Sequence, residues 1–227
     1  MDYLNYSNVN QLQPPPPLRG SLIRLFSTPV LICPCPINYN KELELIRNID
    51  CRKGNKDGHT NISYNRQSED TFILDMPELS NIRAFIEEKL RDFVTNIYAS
   101  DDKIVITQSW LNKNKKGEQH HEHVHPNSII SGVWYPQLYD ESPPICFTMG
   151  RKKEYALTYK QFNEFNSETY ISALKMGDLV LFPSNLSHSV PPNQSDKERI
   201  SLSFNTWMAS SFGDIDRLTY VPMDRCV

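Results

Sequence analysis

The stretch HHEHVHPNSIISGVWY, residues 120–135, carries four of the chain's six histidines in its first six positions. Neutral imidazoles are ligands for iron, zinc and copper. On an extended chain, side chains two apart share a face. His121, His123 and His125 would then lie on one face, with His120, Glu122 and Val124 on the other. Neighbours at i and i+2 stand roughly 6.5–7 Å apart, near enough for two rings to converge on one ion, whereas i and i+4 stand roughly 13 Å apart. A site with open positions therefore takes its third ligand from elsewhere in the chain. Two pairs have the required spacing: His123 with His125, and His120 with Glu122, which would add a negative charge. His121 reads as solvated or as a neighbour of the ligands. The plain alternative for the hydrophilic KKGEQHHEH is a solvated turn.

One distant histidine lies among strand-like runs. It is His188, in GDLVLFPSNLSHSVPPNQSDKERISLSFN. Eleven residues later comes Arg199, and Arg199 and Ser201 again share a face of an extended run. Arginine presents a fork suited to a carboxylate, and a serine hydroxyl adds a donor. An arginine placed inward among alternating apolar residues needs an anion. A His-x-His pair, a distant histidine and an Arg-x-Ser on the following strand make the layout of a jelly-roll metal site with a bound carboxylate cosubstrate.

The elements that must hold these residues follow from the hydrophobic rhythm. Residues 1–17 end in four consecutive prolines and read as a flexible arm or polyproline spacer. SLIRLFSTPVLICPCP, 21–36, reads as one or two strands, and NYNKELELIRNID, 38–50, as a helix. The polar segment 51–70 reads as a loop, with His59 exposed in it. The clearest helix is 76–100, where Leu79, Ile82, Phe85, Ile86, Leu90, Phe93, Val94 and Ile97 recur at spacings of three and four. Pro77 suits its first turn. After residue 103 the rhythm becomes short β-rich runs: KIVITQSWLN, IISGVWYPQ, PICFTM, EYALTYKQF, TYISAL, DLVLFPS and RISLSFNTWM. The expected class is α+β: a double-stranded β-helix, or jelly roll, over about 103–210, with N-terminal helices from about 38–100 packed on one sheet. Residues 1–20 form the arm and 21–227 a single domain.

Composition narrows the classes. The 227 residues carry a net charge of −3, without the basic footprint of a general nucleic-acid binder. No run approaches the roughly 20 apolar residues of a membrane helix, and the N-terminus does not read as a secretory signal. Five irregularly spaced cysteines read as reduced thiols in a cytoplasmic protein. Cys33 and Cys35, in CPCP, lack the further ligands of a closed soft-metal site. KNKKGEQ, 113–119, reads as a solvated basic hairpin tip, and the aromatic-rich 154–170 as strands and a loop near the site.

The strings SWLN (109–112), HVHPNSIISGVWY (123–135), GDLVLFPSNLSHSV (177–190) and RISLSFN (199–205) together resemble the 2-oxoglutarate- and iron(II)-dependent oxygenases. The chain looks most like a prolyl-hydroxylase-like branch common in bacteriophages, which implies action in a host cytoplasm. The resemblance covers about 60–210. It implies iron(II) held by His123, His125 and His188, with 2-oxoglutarate gripped by Arg199, Ser201 and Tyr135. Asn112 and Asn127 would line the pocket. His125 stands where most relatives carry a carboxylate, which leaves the site one unit more positive. The activity implied is a hydroxylase using O2 and an unidentified substrate, peptidyl by preference, and releasing succinate and CO2. The competing readings are a cupin-type metal enzyme without 2-oxoglutarate and a non-catalytic metal-binding or structural protein. Arg199-x-Ser201 argues against the former, and the continuation of the pattern to His188 against the latter.

Overall fold

The central strands alternate. In RISLSFNTWM, Ile200 and Leu202 point to one face while Arg199, Ser201 and Ser203 point to the other. One face of the sheet is therefore apolar and wants a helix, and the other is polar and faces a cavity.

The computed structural model describes residues 19–53, 64–150 and 157–223. Thirteen elements follow in order: β1 (Leu31–Pro34), α1 (Asn40–Asn48), β2 (Cys51–Lys53), β3 (Arg66–Ser68), α2 (Ser80–Asn96), β4 (Ile104–Asn114), β5 (His120–His123), β6 (Ile130–Gln137), β7 (Cys146–Thr148), β8 (Thr169–Ile171), β9 (Asp178–Pro183), β10 (Ser187–Val190) and β11 (Arg199–Met208). A seven-stranded sheet runs β1-β9-β6-β11-β4-β3-β2, and a four-stranded sheet runs β5-β10-β7-β8. Every ladder between these strands is antiparallel. Two antiparallel sheets face to face are the jelly roll expected from the sequence.

The apolar face of the large sheet carries the main core. Ile82, Phe85, Ile86, Leu90, Phe93 and Val94 of α2 cluster with Leu111, Trp134, Leu179, Leu181, Ile200 and Leu202. A smaller cluster of Val133, Tyr135, Ile145, Phe147, Val180 and Phe182 packs between the two sheets.

Several local expectations are corrected. Of the one or two strands expected in 21–36 one forms; Leu22, Ile23, Leu25 and Phe26 before it are exposed, because only Leu31–Pro34 find a ladder, on β9. Segment 51–70 is not all loop: β2 and β3 extend the large sheet as short polar edge strands, where burial demands no apolar alternation. Segment 157–168 holds no strand, and β8 is the only piece of the aromatic-rich stretch that joins a ladder among the described residues. The long helix stops at Asn96, so Ile97 leaves the apolar stripe and is half exposed. The proline-rich arm, His59 and Cys226 lie outside the described residues. The other four cysteines are free thiols.

Candidate metal and carboxylate site

β4 and β5 belong to different sheets, and the turn between them sets where the histidines fall. Gly117 takes φ +80°, a left-handed conformation that glycine adopts without strain. Its N–H donates to the Asn193 carbonyl at 2.7 Å. The turn is not simply solvated: Glu118 is 3% exposed, accepts the Lys115 N–H at 2.9 Å and pairs with Arg66 at 3.2 Å. This lock delivers β5 to β10, where His123 stands directly opposite His188.

β5 ends at His123, and His125 lies beyond the strand, where its N–H donates to the Ser184 carbonyl at 2.9 Å. His125 therefore closes on the others from outside the ladder. The ligand-capable nitrogens of His123, His125 and His188 all lie within 4.8 Å of one another. His125 Nε2 and His188 Nε2 are 3.3 Å apart, close enough for one ion at about 2.0–2.1 Å from each. Nδ1 of His123 lies 2.8 Å from the His121 carbonyl and Nδ1 of His188 lies 2.9 Å from the Leu186 carbonyl. A carbonyl only accepts, so Nδ1 carries the proton in both rings and Nε2 keeps its lone pair. Burial holds all three rings neutral: it lowers His123, pushes His125 down to about 4 and His188 down to about 3. Repulsion between the rings lowers His125 and His188 further. Three neutral imidazoles suit a divalent transition metal.

His120 stacks on the His123 ring at 4.3 Å and lines the cavity, but is outside the ligand group. The alternative pair His120 and Glu122 is not assembled. Glu122 is exposed and accepts a hydrogen bond from Ser187 Oγ at 2.7 Å. His121 is exposed, edge-on to Tyr64.

The cavity lined by the histidines also reaches Arg199. Arg199 is 2% exposed and donates to Asn114 Oδ1 and Ser201 Oγ, each at 3.1 Å. Its guanidinium carbon lies 5.0 Å from the centre of the Tyr135 ring. Burial lowers the Arg199 pKa, and among the described residues no carboxylate pairs with it. Burial pushes the Tyr135 phenol up to about 12, against the pull of the neighbouring guanidinium. Arg199 Nε, Tyr135 Oη and Asn114 Nδ2 are buried without a hydrogen-bond partner. Three orphaned donors around an uncompensated cation are a fit for a carboxylate.

Asn112 lines the cavity, accepts from Asn65 Nδ2 at 2.6 Å and donates to Ser203 Oγ at 2.9 Å. Asn127 does not line it: it sits exposed at φ +57° in the turn after His125. Asn65, Trp110 and Asn114 also line the cavity and were not anticipated from the sequence. The readable signal for Asn114 is its register, directly opposite Arg199 on the neighbouring strand.

Two facing antiparallel sheets with a histidine cluster between them form a jelly roll with a candidate metal site. Residues 108–205 match the family model described as "Putative 2OG-Fe(II) oxygenase". Solved structures share the fold. A 2OG-Fe(II) oxygenase family oxidoreductase from Burkholderia pseudomallei superposes with a TM-score of 0.56 at 12% identity, over 78% of this chain and 84% of that one. A prolyl-4-hydroxylase from Pseudomonas putida gives 0.54 at 13%, over 80% and 93%. HygX from Streptomyces hygroscopicus, solved with nickel, 2-oxoglutarate and hygromycin B, gives 0.54 at 12%, over 79% and 82%. The search of curated proteins found no match. The family model covers residues 108–205 of the 227, and the solved structures share the fold. Among the described residues no helix is long and apolar enough to cross a membrane.

Proposed function

We propose that the protein is an iron(II)- and 2-oxoglutarate-dependent hydroxylase. His123, His125 and His188 hold the metal, and Arg199, Ser201 and Tyr135 bind the distal carboxylate of the cosubstrate. When bound, iron and 2-oxoglutarate supply an oxidising centre that hydroxylates a C–H bond with O2 while the cosubstrate becomes succinate and CO2. The substrate is a peptidyl residue by preference, by analogy with the prolyl-hydroxylase-like fold, and the free thiols suit work in the cytoplasm.

The observation that carries this reading is the pairing, in one cavity, of three neutral imidazoles with a buried arginine that has no carboxylate partner. Arg199 is the only formally charged side chain in the lining apart from the titratable histidines. With a divalent ion bound, nothing in the lining offsets its charge, because His125 replaces the usual carboxylate. A dianionic cosubstrate offsets two of those charges and uses the orphaned donors. Phe182, Val133, Ile145 and Val190 supply the apolar part of the lining.

The test is anaerobic titration with iron(II) and then 2-oxoglutarate, following the weak visible metal-to-ligand band, beside Arg199→Ala and His188→Ala. The band is expected in the wild type and in neither variant. Iron binding without a band refutes the cosubstrate assignment, and no iron binding refutes the metal site.

A further inference from the structure

Asn114 ends β4 at the wall of the cavity and is 1% exposed. Its amide orientation is fixed by its neighbour. Arginine has only donors, so the atom 3.1 Å from Arg199 NH1 must be the carbonyl oxygen Oδ1. Nδ2 is then the other arm of the amide, and it is buried with no hydrogen-bond partner. A buried amide N–H without an acceptor is costly, and a buried donor left in that state marks a place where something else accepts.

The backbone beside it is held firmly. The Asn114 carbonyl accepts from Asn193 Nδ2 at 2.9 Å, and Asn193, fully buried, also donates to the Lys197 carbonyl at 2.9 Å. The same Asn193 tethers the β4–β5 turn, through N–H donation to the Glu118 carbonyl at 3.0 Å. The Asn114 backbone is therefore fixed at the wall, and its side chain lines the same cavity as Arg199 and Tyr135, whose Nε and Oη are also without a partner.

We propose that Asn114 is a further binding residue of this seat: Oδ1 orients the Arg199 guanidinium, and Nδ2 donates to the carboxylate of 2-oxoglutarate that Arg199 grips. This rests on the function proposed above. One side chain does two jobs that need opposite ends of an amide, so neither a carboxylate nor an aliphatic residue can replace it. Aspartate offers the acceptor to Arg199 but no donor to the ligand, and its charge competes for the same guanidinium.

Three variants test this in the iron(II)-loaded full chain, with 2-oxoglutarate as the probe and iron(II) affinity and thermal melting as parallel readouts. Asn114→Ala loses both the Nδ2 bond to the ligand carboxylate and the Oδ1 bond that orients Arg199 and should bind 2-oxoglutarate at least about 10- to 100-fold more weakly, with iron(II) affinity within about twofold of wild type. Asn114→Asp should bind it more weakly still and yet melt no lower than wild type, because its carboxylate satisfies Arg199 from within. Asn114→Ser, which both accepts and donates, should recover part of the loss. A merely structural role would lower stability and both affinities together. Wild-type affinity for 2-oxoglutarate in Asn114→Ala, or an equal loss of iron(II) affinity, overturns the assignment. If the wild type binds iron(II) but no 2-oxoglutarate, the cosubstrate reading itself falls and Asn114 with it, an outcome distinct from wild-type binding that the variants do not disturb.

Discussion

Replacing Arg199 by methionine should uncouple stability from ligand binding. Arg199 is 2% exposed, with NH1 bonded to two neutral oxygens, Nε unpaired and no carboxylate partner among the described residues. Removing a buried ion relieves a desolvation penalty of several kcal/mol. Against this stand two lost hydrogen bonds of about 1.5–3 kcal/mol each. The two sides nearly cancel, so ligand-free Arg199→Met should melt within a few degrees of wild type. Ligand response should differ sharply. Iron-loaded wild type in 2-oxoglutarate at 100 times its Kd gains about 2.7 kcal/mol. At roughly 2–4 °C per kcal/mol for a chain of this size, that is a rise of about 5–11 °C. The variant should show almost none at the same concentration. Anaerobic differential scanning calorimetry over a series of 2-oxoglutarate concentrations reads both quantities. A ligand-free variant that melts more than about 10 °C below wild type would show that Arg199 is chiefly structural. A variant whose melting point still climbs with 2-oxoglutarate as in wild type would refute the seat.

Two further predictions concern the walls of the cavity. A Cβ built on Gly132 meets Phe204 Cζ at 2.1 Å, and Phe204 is fully buried, so Gly132→Ala should cost about 1–3 kcal/mol and lower the melting point by roughly 2–12 °C; an unchanged melting point would show that the Phe204 ring can move aside. The metal-free protein should lose stability as pH falls below 6.5, because each depressed histidine binds its proton in the unfolded chain first: His188, 5% exposed and held at about 3, adds a slope of about 1.4 kcal/mol per pH unit from 6.5 down to that value. Melting curves from pH 7.5 to 4.5 should be less steep for His188→Gln, and parallel curves would count against a buried neutral ring.

Arg199-x-Ser201 was readable because it lies on β11, where a period of two gives both side chains one face; His123 and His125 come together differently, because only His123 lies in a strand. What that spacing could not declare was direction. In β4, Trp110, Asn112 and Asn114 alternate with Leu111 and Lys113, which also describes a strand with one face in water. Here the polar side is the inner one, lining the cavity. Lys113, which alternation would set in solvent or core, is buried on the other side with its Nζ on the carbonyls of Arg47 and Ile49 at the end of α1. The polar edge strands β2 and β3 were invisible for the same reason, since polarity alone does not separate an edge ladder from a loop. Only the fold shows that β4 and β11 turn amides, hydroxyls and a guanidinium toward a second sheet that faces them with histidines. Such an interior is expensive, and in this protein the expense is specific: Arg199 Nε, Tyr135 Oη and Asn114 Nδ2, in residues that line one cavity, have no hydrogen-bond partner in the protein. A fold optimised for stability alone would fill that place with apolar side chains, as it does a short distance away with Val180, Phe147 and Phe182. A buried polar seat of this kind, built from donors around a guanidinium, fits a small anion.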